Sequence, residues 1–270
     1  MIKLGGVMYD VEEIGEGEPL LLLHGFTGSK ETWQSFLSSW SKHFRVIAVD
    51  LLGHGKTEHP VDEARYNIEV VAQDLCMLVD RLHVEQVHIL GYSMGGRLAI
   101  TFASLYPKRV CSLVLESTTA GLEEKEERKA RVQKDRKLAD FIETAGIPAF
   151  VDKWEEVPLF ASQKHLSKSS RDRLRNERLR NNEIGLANSL RGMGTGVQPS
   201  WWHQLHKFQM PVLLLCGEYD KKFIGILSRM EHMLPNAKFI QISDAGHAIH
   251  VEQPEKFDTI VMGFLNSLTN

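Results

Sequence analysis

Short, uninterrupted apolar runs recur along the chain, and they constrain its fold more than any other feature. Each run has the length of a strand and is bounded by glycine, proline or polar residues. Strands that are apolar on both faces are typical of a parallel sheet that is covered on both sides. The runs therefore predict buried strands at 19–23, 45–50, 87–90, 111–116, 211–217 and 238–242.

Helical sequence separates most of these runs. Between 67 and 82, apolar side chains recur at the spacing of one helix face. The alternation of strand and helix predicts an α/β fold, with a mostly parallel sheet and helices on both of its faces. Residues 2–14 alternate loosely and predict a short hairpin at a sheet edge. The other predicted helices lie at 33–40, 97–106 and 254–268.

The alternation is interrupted in the middle of the chain. From 121 to about 190 the sequence is charged and amphipathic, with breaks at 146–148 and 157–158. A long helical stretch between two strands of one sheet is best explained as an insertion. We therefore predict a helical cap of residues 121–190, inserted into a core domain that consists of residues 1–120 and 191–270.

The composition argues against several classes of protein. With 270 residues, 43% of them hydrophobic, the chain can bury a full core. Its net charge of −3 provides no basic field for nucleic acid or an anionic membrane, although residues 121–180 carry 15 Lys and Arg against 12 Asp and Glu. The sequence begins without a secretory signal and has no apolar run of about 18 residues. We expect a soluble cytoplasmic protein, a monomer or a weak homo-oligomer.

The cysteines do not indicate a metal site. Cys76, Cys111 and Cys216 lie in apolar sequence, without the close spacing of a zinc site or a redox motif. This pattern favours buried, reduced thiols over disulfides. Since no other motif indicates a metal or an organic cofactor, we expect none.

One segment combines a predicted strand end with a reactive residue. The sequence Gly91-Tyr92-Ser93-Met94-Gly95 has the G-x-S-x-G pattern of a nucleophile elbow, in which a sharp turn from strand to helix exposes the serine. A serine hydroxyl becomes reactive only when a base takes its proton and donors receive the negative charge that develops. The pattern therefore requires a base, an acid and an oxyanion hole elsewhere in the chain.

Two later residues fit the acid and the base. Asp220 follows the predicted strand 211–217, and His247 follows the strand 238–242. Both thus lie at carboxyl ends of parallel strands, as Ser93 does, and open α/β sheets bind their ligands at this edge. The order Ser93, Asp220, His247 matches the hydrolase triad.

Alternatives exist for both roles. Asp244 is a candidate acid and His250 a candidate base, but Asp244 lies in the same loop as His247 and is poorly placed to reach the far ring nitrogen. For the oxyanion hole, we predict the backbone amides of Phe26 and Met94. His24, in the His24-Gly25-Phe26 loop, is expected to shape that loop rather than to exchange protons.

These motifs resemble the α/β-hydrolase superfamily along essentially the whole chain. The resemblance rests on the His24-Gly25-Phe26 loop, the Asp50-to-Gly55 loop, the elbow, the cap and the distal acid and base. It implies the α/β-hydrolase fold. The serine at position 93 is unlike the branches with an aspartate nucleophile, epoxide hydrolases and haloalkane dehalogenases.

Arg97 narrows the range of substrates. It stands four residues after Ser93 and therefore on the same face of the elbow helix. A simple esterase with an apolar acyl pocket would gain nothing from a guanidinium there, so Arg97 indicates an anionic substrate. For most arginines of the cap, a solvated helix face is the simpler interpretation.

Five stretches of the chain carry a finer resemblance: GYSMGGR, STTAGL at 117–122, ERKARVQKDR, WEEVPLF and CGEYDKKF. They are similar to the 2-succinyl-6-hydroxy-2,4-cyclohexadiene-1-carboxylate synthases of menaquinone (vitamin K2) biosynthesis. In that family the triad acts as a base, and pyruvate is lost by 2,5-elimination from 2-succinyl-5-enolpyruvyl-6-hydroxy-3-cyclohexene-1-carboxylate. The resemblance thus implies a lyase in which Ser93 takes the proton.

The same resemblance assigns the substrate-binding residues. Arg97, Arg131 and Arg178 match positions that bind carboxylates, with a short insertion in the spacing before Arg178, while Tyr92 and Trp154 match positions that contact the substrate. Independently of the family, a polycarboxylate needs several fixed cations, and a planar guanidinium pairs with a carboxylate through two hydrogen bonds.

Two other functions remain open. Ser93 could act as a covalent nucleophile in a carboxylesterase or a carbon–carbon bond hydrolase, and the fold could also serve as a non-catalytic ligand sensor, although the complete triad argues against a sensor. An esterase pocket should be largely apolar. For a lyase we expect Arg97, Arg131 and Arg178 to converge near Ser93.

Overall fold

The computed structural model describes residues 1–269 of the chain. The strands are β1 (Ile2–Leu4), β2 (Val7–Tyr9), β3 (Val11–Ile14), β4 (Glu18–Leu23), β5 (Phe44–Val49), β6 (Val87–Tyr92), β7 (Val110–Glu116), β8 (Val212–Gly217) and β9 (Ala237–Ile242). Within the described residues, seven of these strands form one sheet in the order β3-β5-β4-β6-β7-β8-β9. All neighbouring strands are parallel except β3, which pairs with β5 in the antiparallel direction. The α/β-hydrolase fold class is confirmed.

Helices cover both faces of this sheet. On β4, Leu21 and Leu23 point to one face and Leu20 and Leu22 to the other, and all four are fully buried because each face has its own apolar core. The helices are α1 (Gln34–Trp40), α2 (Ile68–Arg81), α3 (Met94–Leu105), α4 (Lys125–Glu155), α5 (Lys168–Leu179), α6 (Glu183–Met193), α7 (Lys221–Met233), α8 (Ile249–Glu252) and α9 (Pro254–Asn266).

The N-terminal segment differs from the predicted edge hairpin. β1 and β2 do form an antiparallel hairpin, but it is a separate two-stranded sheet, and the edge of the main sheet is formed by β3. The hairpin packs against α2, where the Tyr9 hydroxyl donates to Asp74 at 2.6 Å. The position of the hairpin thus involves tertiary contacts with α2, which the local sequence pattern does not report.

The inserted helices α4, α5 and α6 lie between β7 and β8. α4 is kinked at Gly146, whose φ of 81° lies outside the helical region, and Pro148 follows it, so the predicted break at 146–148 is present. α4 and α6 share a small apolar core. α6 continues to Met193, beyond the predicted limit of the cap at 190. The division into a core of residues 1–120 and 191–270 and a cap of residues 121–190 stays a prediction.

Two helices differ from the sequence prediction near the site. α3 begins at Met94, directly after Ser93, and not at 97. Gly95 and Gly96 are weak helix formers, but only glycine fits at position 95, since a Cβ there would lie 2.1 Å from the Leu23 carbonyl oxygen. α7, which lies outside the predicted helices, begins directly after Asp220. No helix in the described part of the chain combines the length and apolarity required to cross a membrane.

Candidate active site

The turn at Ser93 is strained in the manner of a nucleophile elbow. Ser93 has φ 50° and ψ −103° between β6 and α3, a conformation that a non-glycine residue rarely adopts. Three hydrogen bonds fix the backbone of this turn. The Ser93 N–H donates to the Glu116 carbonyl at 2.8 Å, and the Ser93 carbonyl accepts from the Arg97 N–H and the Thr118 hydroxyl. These bonds hold the Ser93 side chain at the carboxyl edge of the sheet.

Ser93, His247 and Asp220 form one hydrogen-bonded chain. His247 Nε2 lies 3.0 Å from Ser93 Oγ, and His247 Nδ1 lies 2.6 Å from Asp220 Oδ2. A carboxylate only accepts, so the proton of the neutral ring lies on Nδ1, and Nε2 is free to take the Ser93 proton. His247 and Asp220 are both buried. The geometry is that of a general base oriented by an acid.

The alternative acid and base lie elsewhere. Asp244 is exposed and has Lys256 Nζ at 3.3 Å. His250 is buried, with its Nδ1 at 2.9 and 3.0 Å from the two carboxylate oxygens of Glu116. The structure therefore brings Asp220 and His247, and not these neighbours, to Ser93.

The two residues predicted to supply the oxyanion donors, Phe26 and Met94, line the same cavity as Ser93. Met94 is the first residue of α3, so its N–H has no partner within the helix. Phe26 belongs to the loop that His24 shapes. His24 Nε2 accepts from the Leu51 N–H at 2.9 Å, and Nδ1–H therefore donates to the Gly25 carbonyl at 2.8 Å. Burial lowers the pKa of His24 to about 4, which keeps the ring neutral and this pairing intact at neutral pH.

A cavity of about 740 Å³ opens over Ser93 and His247. Its lining contains six basic side chains and one acidic side chain, Asp135. The sequence predicts arginines there but not the four lysines, all of which lie at the exposed rim. The spacing of 131, 134 and 137 along α4 was the available signal, because it places three cations on one helix face. The basic residues are Arg97, Arg131, Lys134, Lys137, Lys153 and Lys222.

Arg97 lies at the buried end of this cavity. Its Nη1 donates to the Met193 carbonyl at 2.6 Å and to Gln198 Oε1 at 2.5 Å. Burial, together with the nearby Arg131 charge, lowers the pKa of Arg97 to about 9. Both acceptors are neutral, so the guanidinium keeps a positive charge that an anionic ligand can pair with.

Arg131 and Asp135 form an ion pair in the cavity wall. Arg131 Nε lies 2.8 and 2.9 Å from the two Asp135 carboxylate oxygens, and 36% of the Arg131 side chain remains exposed. Because Nε alone carries both bonds, the terminal nitrogens of Arg131 can meet a carboxylate while Asp135 holds the side chain in place.

Arg178 lines a neighbouring cavity of about 700 Å³ instead. It is buried, donates to Glu155 at 3.2 Å and Gln163 at 3.0 Å, and stacks over the Phe160 ring at 5.2 Å. Phe160 lines both cavities and so stands between Arg178 and His247. The three arginines do not converge in one cavity as expected, and a role of Arg178 at the substrate stays a prediction.

Tyr92 and Trp154 both line the Ser93 cavity. The Tyr92 ring packs 5.4 Å from the His247 ring, and burial raises the pKa of Tyr92 well above its usual value, which keeps the hydroxyl protonated. The Trp154 ring contacts Phe26 and Phe160, and its buried Nε1–H has no hydrogen-bond partner among residues 1–269. An unpaired indole donor in a cavity wall is suited to a ligand oxygen.

The three cysteines are free thiols, with Cys216 buried and Cys76 and Cys111 half-buried. Burial is also the main cause that raises the pKa of each of them. Within residues 1–269, no group of three or more His, Cys, Asp or Glu side chains could hold a metal ion.

The chain is similar to known proteins over nearly its whole length. Residues 18–254 match the family described as alpha/beta hydrolase fold. The chain is 50% identical to a Bacillus subtilis (strain 168) protein provisionally named a 2-succinyl-6-hydroxy-2,4-cyclohexadiene-1-carboxylate synthase, over 97% of this chain and 96% of that protein. It is 31% identical to the synthase of that name from Escherichia coli O1:K1 / APEC, over 87% and 88% of the two chains. The structure of MenH from S. aureus superimposes with a TM-score of 0.93 at 35% identity, covering 97% of this chain and 99% of that one.

Proposed function

Since the chain belongs to the α/β-hydrolase family, and within it to the 2-succinyl-6-hydroxy-2,4-cyclohexadiene-1-carboxylate synthases, we propose that its triad works as a base. The protein is a lyase of menaquinone biosynthesis. Its substrate is the tricarboxylate 2-succinyl-5-enolpyruvyl-6-hydroxy-3-cyclohexene-1-carboxylate, from which it removes pyruvate. The main observation in support of this mechanism is the cavity over Ser93, whose lining contains six basic side chains and only one carboxylate.

The charge of the cavity favours a polyanion over a simple ester. An acyl pocket is mostly apolar, and a buried guanidinium such as Arg97 would be costly there without an anionic partner. With a tricarboxylate, Arg97 at the buried end of the cavity and Arg131 in its wall can each pair with a carboxylate, while the rim lysines raise the local concentration of the anion. Tyr92, Trp154 and Arg178 complete the proposed binding set.

The bond changes follow from the structures of substrate and product. His247 takes the Ser93 proton, and the resulting alkoxide removes the proton from the ring carbon that carries the succinyl group. The electron pair forms a double bond to the next ring carbon, the existing double bond shifts, and the carbon–oxygen bond to the enolpyruvyl group breaks. Protonation of the departing enolate by the His247 imidazolium gives pyruvate, and Ser93 keeps the ring proton as its hydroxyl, so protons balance.

The oxyanion hole supports the first step. Removal of a proton next to the succinyl ketone places negative charge on the ketone oxygen. The amides of Phe26 and Met94 are the donors that we assign to this oxygen, since both residues line the Ser93 cavity and the Met94 N–H, at the first position of α3, has no partner within the helix. No covalent bond between Ser93 and the substrate is needed.

We extend the proposal to the organisation of the protein. Residues 121–190 form the cap that carries Arg131, Trp154 and Arg178, and residues 1–120 and 191–270 form the core that carries the triad. The reaction needs no cofactor. The three free thiols favour a reducing compartment, in line with action in the cytoplasm as a monomer or a weak homo-oligomer.

Direct turnover tests the proposal. The purified protein is incubated with 2-succinyl-5-enolpyruvyl-6-hydroxy-3-cyclohexene-1-carboxylate, and both pyruvate and the cyclohexadiene product are followed. We expect them to appear in equal amounts. In parallel, aryl esters are tested for a burst of alcohol release. Ester turnover through a labelled Ser93 acyl-enzyme, without pyruvate release from the cyclohexene, would instead identify a carboxylesterase or a carbon–carbon bond hydrolase.

A further inference from the structure

A second buried carboxylate lies next to the triad and takes no part in the mechanism above. Glu116 is the last residue of β7, and its side chain is fully buried. A carboxylate in such a place is costly unless donors surround it. Both oxygens are in fact paired: they accept from the Ile249 N–H at 2.6 Å, the His250 N–H at 3.2 Å and His250 Nδ1 at 2.9 and 3.0 Å. All these donors belong to the two residues that follow His247-Ala248.

The main chain of the same residue holds the nucleophile. The Glu116 carbonyl accepts from the Ser93 N–H at 2.8 Å, and Glu116 is the register partner of Tyr92 in the β6–β7 pair. Glu116 therefore contacts the strained turn of Ser93 through its backbone and the segment that carries His247 through its side chain. It connects the two partners whose separation decides proton transfer.

The loop around His247 has a second carboxylate, but that one is local. Glu252 accepts from the Gly246 N–H at 2.8 Å and from the Ala248 N–H at 3.3 Å, so it fixes the backbone on both sides of His247. Glu252 belongs to α8 in the same segment, and it makes the loop compact without attaching it to the sheet. The Glu116 bonds attach the start of α8 to the strand beside Ser93.

Ring packing extends the connection from Glu116 to the cavity. The His250 ring, which Glu116 orients, packs 4.6 Å from the Tyr92 ring, and the Tyr92 ring packs 5.4 Å from the His247 ring. A shift of His250 would therefore move Tyr92 and His247 together.

From this geometry we propose that Glu116 is a positioning residue for proton transfer: through Ile249 and His250, its carboxylate sets the distance between Ser93 Oγ and His247 Nε2. The kinetic consequence rests on the proposed function, whereas the consequence for Ser93 reactivity does not. A displacement of about 1 Å between reacting groups can lower a rate by about 100-fold, so the loss of this contact should reduce reactivity without touching the substrate.

The experiment compares Glu116→Leu, Glu116→Gln and Glu116→Asp with the wild-type protein. Two rates are measured: kcat and KM for pyruvate release, and the rate at which a fluorophosphonate labels Ser93, which needs the Ser93–His247 pair but no natural substrate. For Glu116→Leu we expect kcat and labelling to fall together by about 30-fold or more, with KM within about threefold. Glu116→Gln, whose amide oxygen still accepts from both backbone N–H groups, should restore both rates to within about fivefold.

Asp74 supplies the matched control for burial. It too is a buried carboxylate, and its Oδ2 accepts from the Tyr9 hydroxyl and from Arg65 Nη2 at 2.6 Å each, but Asp74 lines neither cavity. Asp74→Leu should lower the unfolding midpoint while the folded protein labels and turns over at the wild-type rate. A folded Glu116→Leu that behaves in the same way would overturn the proposal.

If Glu116→Leu does not fold, Glu116→Asp provides the test of the positioning role. It keeps the charge but withdraws the carboxylate by one methylene, and we expect labelling to slow by about fivefold or more with KM unchanged. Wild-type labelling by Glu116→Asp would overturn the positioning role. Absence of pyruvate release from the wild-type protein would overturn the proposed function instead, and the labelling series would still test Glu116.

Discussion

Two hydrogen-bonded Ser–His–acid chains of side chains lie at opposite ends of the same sheet, and only one of them has the surroundings of a catalytic site. Ser93, His247 and Asp220 are joined at 3.0 and 2.6 Å at the carboxyl edge. At the amino ends of β4, β6 and β7, Ser112 Oγ lies 2.8 Å from His88 Nδ1, and His88 Nε2 lies 2.8 Å from a carboxylate oxygen of Glu18. By hydrogen-bond distances alone, the two chains are equivalent.

Their surroundings differ in every respect that matters for chemistry. Ser112 sits on a regular strand, is fully buried and lines none of the larger cavities described for residues 1–269, and its acid, Glu18, is 54% exposed. Ser93 sits on a strained turn, faces a cavity with six basic side chains, and has a buried acid. We infer that access, backbone strain and a charged cavity make a triad reactive, while the hydrogen bonds alone do not.

The largest expected effect tests this difference directly. Ser93→Ala should lower kcat for pyruvate release by about 10⁴-fold, since it removes the group that takes the proton. Ser112→Ala should leave kcat unchanged. Steady-state assays of both variants, with circular dichroism to confirm folding, make the measurement. A loss of turnover in folded Ser112→Ala comparable to that in Ser93→Ala would contradict the distinction between the two chains.

The same contrast explains what could be predicted from the sequence. Ser93, Asp220 and His247 were predictable because each follows a strand whose apolar run is visible locally, and because parallel strands bring their carboxyl ends to one edge. The Ser112–His88–Glu18 chain depends on the register between β4, β6 and β7, where His88 pairs with Ser112. Register is a property of strand pairs and is not encoded in any one run.

The inserted helices show a second limit. The existence of α4 and α5 and the break near Gly146 followed from spacing and helix breakers. The direction of Arg178 did not, because it is set by packing on Phe160 and by bonds to Glu155 and Gln163. The orientation of cap side chains therefore cannot be predicted without tertiary contacts, whereas the elbow can be predicted from local sequence.

The next effect concerns the cations that distinguish the Ser93 cavity. Arg97→Ala should cost about 2–5 kcal/mol of transition-state stabilisation, the range for removing one partner of a desolvated charge pair. Arg131→Ala should fall at the lower end of that range, since Arg131 is partly exposed and paired with Asp135. Comparison of kcat/KM between each variant and the wild type gives both values. A rate for Arg131→Ala within about threefold of wild type would remove Arg131 from the site.

The pH dependence of KM tests whether the charge of Arg97 contributes to substrate binding. Its pKa is lowered to about 9, mainly by burial, so in the free protein the side chain is a cation below that pH and becomes neutral above it. The substrate carboxylates stay ionised throughout this range. KM should therefore be flat below pH 9 and rise by about tenfold per unit above it, because each unit removes most of the charged form. Arg97→Gln should lack this rise, and an identical rise in Arg97→Gln would assign it to another group.

The smallest expected effect lies at the amino end of the sheet, where the Ser112 chain should contribute stability alone. Ser112→Ala leaves His88 Nδ1 buried without its partner, which should lower the free energy of unfolding by about 1–3 kcal/mol. Glu18→Gln should cost less than about 1 kcal/mol, because Glu18 is half exposed and its amide can still pair with the ring. Urea unfolding of both variants measures these differences, with kcat at the wild-type value throughout. Equal losses in the two variants would show that the exposed end of this chain is as tightly coupled as its buried end, and that its resemblance to the catalytic triad extends beyond distances.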